Sequence, residues 1–301
     1  MLKKLNAIQK FLLKINQPTN YVKYKQSLSF ASSEQFNNTK LPVISNNIGT
    51  LTFKHSGNSG DIIYALPTIK AIVKNSDCIL NLHLNQTGFY NNTHPLGNVM
   101  LNEKMVKMIT PLLEAQSYIK QIAVQENQQI DYDLDIFRQA PFLLDRGDIS
   151  RWYFHIFNVF YDLSEAWIKV SPNLNYSNSI VLARSERYNN LYIDYSFLTQ
   201  YKNIVFLGVE SEYKIMKIKI PNLEWKPVAN FLEMAEIIAG AKFFIGNQSF
   251  PYAIAEAMKI KRVLEVCFDC PNVVIHGANG YDFYFQNNFE QIVKKLYEQA
   301  Q

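Results

Sequence analysis

A loop with the sequence HSGNSGDIIYALP, running from His55 to Pro67, is the most informative part of the chain. It follows a short apolar segment at residues 51–54 that is typical of a strand. Its small residues and two glycines let a ligand approach the backbone closely. Pro67 cannot donate a hydrogen bond to the carbonyl of Ile63, so we expect a helix that starts at or kinks near Pro67. The loop therefore predicts a strand, a ligand-facing turn and a helix.

Asp61 is the chemically active side chain of this loop. We expect it in the turn at the carboxyl end of the strand, where open α/β sheets bind their ligands. A carboxylate there can act as a general base on a hydroxyl group. Capping of the helix is an equally good reading of the spacing alone.

Outward from this loop, strands alternate with helices in two successive series. The first series predicts strands at 51–54, 78–84, 119–124 and 132–137, and helices ending near 74, at 102–115 and at 151–168. The second predicts strands at 180–183, 204–207, 243–245 and 263–266, and helices at 231–239, 251–258 and 289–299. Such alternation predicts parallel sheets with right-handed crossovers. We therefore expect an α/β protein with two Rossmann-like domains facing a central cleft, at 49–175 and 176–301, after an N-terminal helix and linker at 1–48.

A second loop, GNQSFPYAIAEA from Gly246 to Ala257, has the same strand, turn and helix pattern. Ser249 is well placed as a cap, and Pro251 suits the first helical turn. The free N–H groups and the dipole of such a helix form a site for an anion such as a diphosphate. The lysine of a P-loop is missing, so the pattern does not indicate an ATPase.

Together the two loops resemble the heptosyltransferase family, glycosyltransferase family 9. The segment GDIIYALP, from Gly60 to Pro67, is similar to the opening motif of that family, and Gly246, Asn247, Gln248, Ser249 and Phe250 stand where the family has its donor-phosphate loop. The resemblance implies the GT-B fold, Asp61 as catalytic base and the second loop as the contact to the donor diphosphate. It spans roughly residues 50–285.

Some residues differ from the family pattern. The family loop usually begins with Asp and includes a His, whereas this chain has Asn247 and Gln248 to Phe250. The family lysine of the second domain is replaced here by the segment with Arg184 and Arg187, which we expect to bind phosphate together with Gly60. Glu256 and Glu265 are candidates for holding the donor ribose.

The acidic run at Asp131, Asp133 and Asp135 alternates as along a strand, which would place the three carboxylates on one face. Asp133 to Asp135 imitates the D-x-D metal motif of another glycosyltransferase fold, but the tandem Rossmann pattern favours a structural or acceptor-side role. No metal or other cofactor is expected. His55 and His276 could meet at the cleft, although a lone histidine is more often a satisfied polar residue.

The bulk composition sets limits on class and location. The net charge of +4 is too small to indicate a nucleic-acid partner, and 48 % hydrophobic residues suffice for a large core. Three cysteines, Cys78, Cys267 and Cys270, without a secretory leader predict a cytoplasmic protein. The lone C-x-x-C lacks the further ligands of a zinc site.

The first 16 residues have the pattern of an amphipathic helix. Leu5, Ile8, Leu12 and Ile15 share one face with lysines among them. Packing of this helix on its own chain is the preferred reading, and weak contact with a membrane surface is the alternative. Residues 17–48 are rich in Asn, Ser and Gln and predict a linker or an extended wrap.

The sequence thus favours a glycosyltransferase that moves a sugar from a nucleotide-diphosphate donor to an acceptor hydroxyl by inverting displacement without metal. A nucleotide-sugar epimerase or hydrolase, and a non-catalytic nucleotide-sugar-binding protein, are the alternatives, since fold does not fix function. The acceptor could be a glycan, a lipid or a modified nucleic acid.

Overall fold

The computed structural model describes residues 4–37, 41–44, 49–74, 76–88, 98–125, 128–140 and 144–299. The chain begins with a helical hairpin of α1 (Ala7–Asn16) and α2 (Pro18–Asn37). Asn6 and Gln9 form a reciprocal capping box that starts α1. The backbone N–H of Leu5 donates to the Tyr24 hydroxyl on α2 at 2.9 Å.

Two predictions for this region are wrong. Residues 18–37, expected as a linker, form α2, because Pro18 fixes the first turn and no Gly or Pro follows before Pro42. The preferred reading of α1, packing on a domain of its own chain, also fails, since none of its residues is buried. Parts of the predicted linker, residues 38–40 and 45–48, lie outside the described residues.

The first domain is built on a parallel sheet with strand order β3-β2-β1-β4. Its strands are β1 (Thr50–His55), β2 (Asp77–Leu82), β3 (Gln121–Ala123) and β4 (Tyr132–Asp133), and its helices are α3 (Ser59–Val73), α4 (Glu103–Glu114) and α5 (Ile149–Phe157). Four of the six residues of the central strand β1 are buried, as expected for a parallel sheet covered on both faces.

The second domain is built on a six-stranded parallel sheet with order β10-β9-β8-β5-β6-β7. Its strands are β5 (Ile180–Ala183), β6 (Ile204–Phe206), β7 (Leu223–Trp225), β8 (Phe243–Asn247), β9 (Arg262–Glu265) and β10 (Gly280–Phe283). Its helices are α6 (Glu210–Lys219), α7 (Phe231–Gly240), α8 (Phe250–Met258) and α9 (Gln286–Glu298). The expected α/β class with two parallel sheets is therefore confirmed. The predicted boundary at 175/176 falls in the segment between the two sheets.

Several element boundaries differ from the prediction. Helix α3 begins at Ser59, so Asp61 lies in its first turn and Pro67 lies inside it. Pro67 has no N–H to donate to the carbonyl of Ile63, and this carbonyl instead accepts a hydrogen bond from the Trp167 indole at 3.0 Å. The helix predicted at 151–168 ends at Phe157, where Asn158 adopts a left-handed conformation.

The strand predicted at 132–137 is also cut short. After β4 the chain turns into a 3-10 helix, Leu134–Arg138, because the Asp133 carboxylate accepts the N–H of Asp135 at 2.9 Å. The three aspartates therefore do not share one face of a strand. Helix α6 and strands β7 and β10 were not predicted.

The two domains share a continuous apolar interface. Helix α3 packs against α8, and α4 packs against α7. Ala253 and Ala257 of α8 are buried within the same apolar cluster as Ile62 and Leu66 of α3. Small residues on α8 thus let the two helices that begin at the cleft lie close together.

Candidate active site in the interdomain cleft

A cavity of about 570 Å³ lies between the domains, at the carboxyl ends of both sheets. This volume is in the range of pockets for small-molecule ligands. Its first wall includes Gly60 and Asp61, and its second wall includes Arg187, Ser249 and Phe250. The two loops singled out by the sequence therefore face each other across one cleft.

The carboxylate of Asp61 is held by an arginine that the sequence did not reveal. Arg138 Nη2 lies 2.7 Å from Asp61 Oδ2, and its Nη1 lies 2.7 Å from Asp135 Oδ1. Among the described residues, the hydrogen bonds to the Asp61 carboxylate, from Arg138 and from Asn58 at 3.4 Å, both reach Oδ2. This arrangement orients the carboxylate and leaves Oδ1 for another partner.

Gly57 makes room for this arginine. A Cβ atom at Gly57 would lie 1.5 Å from Arg138 Nη2, whereas a Cβ atom at Gly60 would meet nothing within 4 Å. The absence of a side chain at Gly57 therefore allows Arg138 to reach Asp61, and the absence of one at Gly60 leaves the cleft wall open beside Asp61.

A buried histidine fixes the backbone of the same loop. The N–H of Gly57 donates to His55 Nδ1 at 3.0 Å, so Nε2 carries the proton and donates to the Tyr153 hydroxyl at 2.9 Å. Tyr153 in turn lies 3.5 Å from the carbonyl of Asp61. Burial lowers the pKa of His55 to about 4, which keeps the ring neutral. His276 has a different partner, Asp148, at 2.6 Å, so the two histidines do not meet.

The D-x-D segment forms an ion-pair network with a lysine. Lys54 Nζ lies 2.8 Å from Asp133 Oδ2 and 3.7 Å from Asp135 Oδ2. Asp135 also accepts from the Ser56 hydroxyl at 2.7 Å. Burial alone would raise the pKa of Asp135, but the nearby His55 and Arg138 and the hydrogen bonds from Ser56 lower it. Within the described part of the chain, no group of three His, Cys, Asp or Glu side chains is placed to hold a metal ion.

The second wall presents the N-terminus of α8. Ser249 is its N-cap residue, but the serine side chain makes no capping hydrogen bond to the helix and bonds instead to the carbonyl of Asn247 at 3.2 Å. Pro251 stands in the first turn, as predicted. The helix therefore directs its positive end toward the cleft without a carboxylate cap.

Asn247 and Gln248 hold this wall in place through hydrogen bonds to neighbouring segments. The Asn247 amide bonds to both the N–H and the carbonyl of Ser185, at 2.9 and 2.7 Å, and so joins the loops after β8 and β5. The Gln248 carbonyl accepts from the N–H of Cys267 at 2.9 Å, and its amide donates to Asn272 at 2.8 Å. Gly246 is packed against the Phe244 ring and leaves no room for a side chain.

Not every residue predicted to bind the nucleotide-sugar donor lines the cleft. Arg184 forms a bidentate ion pair with Glu265, at 2.7 and 2.9 Å, and Glu265 is fully buried. Glu256 is 1 % exposed, lies 2.5 Å from Arg262 and also pairs with Lys259. Burial of Lys259 lowers its pKa to about 8. The charges of Arg184, Glu265 and Glu256 are thus satisfied inside the second domain, because isolated buried charges are costly.

Arg187 is the predicted cation that does line the cleft, where its guanidinium lies over the Tyr188 ring at 4.4 Å. Glu212, in the first turn of α6, lines the same wall and was not predicted. Burial raises the pKa of Glu212 to about 7; backbone hydrogen bonds from Glu186 and Val209 and the charge of Arg187 oppose this shift, while the charge of Glu186 adds to it. The one signal in the sequence that could have indicated Glu212 is the pair of glutamates, Glu210 and Glu212, shortly after a strand.

This geometry belongs to a known class of fold. Two parallel-sheet domains facing a cleft, with helix α8 beginning at its second wall, make up the GT-B arrangement found in heptosyltransferases and related glycosyltransferases. No sequence profile of a protein family matches the chain, and no curated protein matches it in sequence.

Solved structures give the particular likenesses. The structure of Escherichia coli heptosyltransferase WaaC with ADP matches this chain with a TM-score of 0.55 and 9 % sequence identity. The match covers 82 % of this chain and 99 % of the WaaC chain. A glycosyltransferase family 9 protein from Veillonella parvula has a TM-score of 0.53 and 10 % identity, covering 86 % and 91 %. The iron-containing dodecameric glycosyltransferase TibC from enterotoxigenic E. coli has a TM-score of 0.50 and 13 % identity, covering 87 % and 79 %. At this identity the likeness defines the fold.

In the described part of the chain, no helix has both the length and the apolar character that crossing a bilayer requires.

Proposed function

We propose that the protein is a glycosyltransferase that moves a sugar from a nucleotide-diphosphate donor to an acceptor hydroxyl. The observation that carries this proposal is the cleft itself, in which Asp61 of one domain faces Arg187 and the α8 N-terminus of the other. The structures of similar fold include WaaC with ADP and WaaC with an ADP-heptose analogue, which supports a nucleotide-sugar donor.

The proposed reaction is a single inverting displacement. Asp61 takes the proton of the acceptor hydroxyl while the acceptor oxygen attacks the anomeric carbon. The bond between that carbon and the diphosphate oxygen breaks, and the nucleoside diphosphate leaves with the electron pair. Arg187 and the α8 N-terminus stabilise the charge that develops on the leaving group.

Asp61 remains the proposed base although its carboxylate is ion-paired with Arg138. The ion pair fixes the direction of the carboxylate, and both hydrogen bonds described above engage the same oxygen. Correct placement of a base contributes as much as its basicity to such a step.

Transfer without a metal ion is part of the proposal. Asp133 is already paired with Lys54, Asp135 is paired with Arg138, and Arg187 and the α8 N-terminus line the second wall, where we place the diphosphate. The cytoplasmic location inferred from the cysteines stays a prediction. The membrane-surface contact suggested for residues 1–16 is not required by the transfer chemistry.

A panel of nucleotide sugars tested by thermal shift, followed by calorimetry, would identify the donor, because a ligand that binds the folded state raises its melting temperature. Incubation of that donor with candidate acceptors, with and without EDTA, would then be followed by NMR. Inverted product at an unchanged rate in EDTA is expected, and a strict need for a divalent metal would contradict the mechanism.

The same experiment separates the alternatives. Conversion of the donor sugar without acceptor would indicate an epimerase, and release of free sugar at full rate would indicate a hydrolase. Binding of the donor without turnover on any acceptor would indicate a non-catalytic binding protein.

A further inference from the structure

The N-terminal hairpin carries an apolar face that no part of the described chain covers. Ile8, Phe11, Leu12 and Ile15 of α1 are 71, 62, 50 and 60 % exposed. At 100° per residue these four side chains fall on one side of the helix, as in an amphipathic helix. Val22 on α2 is also exposed, at 53 %. Grouped large apolar side chains of this kind mark an interaction surface.

The charge of the chain is concentrated in this same hairpin. Residues 1–33 contain six lysines, at positions 3, 4, 10, 14, 23 and 25, and no acidic residue. Residues 34–301 hold 24 basic and 26 acidic residues, so they are slightly negative. Residues 1–33, which comprise α1, most of α2 and the segment before them, therefore account for the whole net positive charge of +4.

Helix α1 is capped and braced within the hairpin itself. The capping box of Asn6 and Gln9 starts it, and the Tyr24 hydroxyl of α2 accepts a hydrogen bond from the N–H of Leu5 just before it. None of its residues is buried, yet its backbone is already ordered into a helix. Binding through this face would therefore not require the helix to fold first.

We infer that the α1–α2 hairpin docks the protein on the surface of a membrane rich in anionic lipids. Phe11, Leu12 and their neighbours would lie among the upper acyl chains, while the lysines remain at the level of the headgroups. Apolar burial and electrostatic attraction are both needed, since a single short helix has a small apolar face. The charge pattern favours this occupant over a second copy of the chain, whose hairpin would bring six lysines against six others.

The inference is tested with the full-length protein and vesicles of two compositions, phosphatidylcholine alone and phosphatidylcholine mixed with phosphatidylglycerol. Flotation should recover the protein with the anionic vesicles only. Raising the salt concentration should release it, since screening weakens attraction between exposed charges and the surface.

Two double variants separate the contributions. Phe11→Gln with Leu12→Gln removes apolar contact while keeping a good helix former, and Lys10→Gln with Lys14→Gln removes charge. Each is expected to weaken binding to anionic vesicles about tenfold or more. Ile218→Gln is the matched control, because Ile218 is an equally exposed apolar residue, at 83 %, on helix α6. The control should bind like the wild type.

Other outcomes would overturn the inference. Equal binding to both vesicle types, no binding to either, or unchanged binding of the two double variants would each do so. Analytical ultracentrifugation of the same proteins adds a further check. If the wild type is a dimer that the Phe11 and Leu12 changes dissociate, the face is an interface between copies of the chain instead.

Discussion

The two walls of the cleft are built in the same way, from a strand, a turn and a helix, but they treat their charges differently. On the first wall, Asp61 is paired with Arg138, which is paired in turn with Asp135. On the second wall, Arg187 faces the cavity and α8 begins without a side-chain cap. On the first wall the carboxylates are held by a cation of the same domain, whereas on the second wall Arg187 and the positive end of α8 lie at the cavity together with Glu186 and Glu212.

This difference suggests a division of labour. A charge network that is complete before any ligand arrives can hold a reacting group in a fixed direction. A wall with a positive helix end and an arginine gains most from an anionic ligand. We therefore place the chemistry on the first wall and donor binding on the second, and four predictions test this assignment.

The largest effect is expected for Asp61→Asn. The variant should lose turnover by about a hundredfold or more, because the acceptor proton has no base, while binding of the nucleoside diphosphate remains nearly unchanged. Steady-state rates and calorimetry measure the two quantities. Asp77→Asn is the matched control, since Asp77 pairs with Lys120 in an exposed position at the amino end of β2. Near-normal turnover of the Asp61 variant would remove Asp61 from the mechanism.

The second prediction concerns Arg187→Ala. A charge-assisted hydrogen bond to phosphate contributes about 1.5–3 kcal/mol, so donor affinity should fall roughly 10- to 150-fold. Calorimetric titration with the donor or its nucleoside diphosphate measures this, and Lys294→Ala on the exposed face of α9 provides a control for lost charge. Wild-type affinity of the Arg187 variant, with binding lost only through first-domain changes, would reverse the assignment of the walls.

The third prediction compares two glycines of the same loop. Gly57→Ala should destabilise the fold by about 1–3 kcal/mol, because the new methyl group displaces the Arg138 guanidinium and breaks its partly buried ion pair with Asp61. Gly60→Ala should leave the free energy of unfolding nearly unchanged, since open space surrounds that position. Urea denaturation measures both. Similar losses in the two variants would show that Gly57 is not specifically needed for the ion pair.

The smallest effect concerns Glu212, whose pKa is raised to about 7 by burial. A carboxyl group that binds protons more tightly when folded adds stability below its ordinary pKa, and this contribution is lost as the pH rises through about 7. Glu212→Gln should therefore flatten the decline of stability between about pH 5 and 8, an effect on the order of 1–2 kcal/mol after solvent screening.

Urea denaturation at a series of pH values checks the Glu212 prediction. Glu210→Gln, at an exposed position on the same helix, should keep the wild-type dependence. A Glu212→Gln protein with an unchanged pH profile would contradict it.

The sequence predicted the parts of this fold that rest on local pattern. Strands β5 and β8 contain short, continuous apolar runs, and β1 is rich in β-branched and aromatic residues. Each is followed by turn residues, so the strands, the parallel sheets and the facing loops could be predicted directly. Asp61 and Arg187 reach the cleft because each directly follows such a strand or its turn. Residues placed by strand ends are predictable because topology alone brings them together.

The site residues that were predicted wrongly or missed have a different cause in common. Arg184 and Arg187 are three residues apart and look equivalent in sequence, yet Arg184 turns inward to Glu265, which is 81 residues away. Arg138 reaches Asp61 across 77 residues. Such long-range pairs leave no local signal in the sequence.

The helix α2 was missed for another reason, since its polar composition resembles a linker and its stabilising partner is α1.

Trp167 has a mechanical consequence for the cleft. Its indole donates to the carbonyl of Ile63 in α3, and its backbone N–H donates to the carbonyl of Ala257 in α8 at 3.0 Å. One residue thus fastens the helix behind Asp61 to the helix behind Ser249. Any movement that separates α3 from α8 would therefore have to break these two hydrogen bonds.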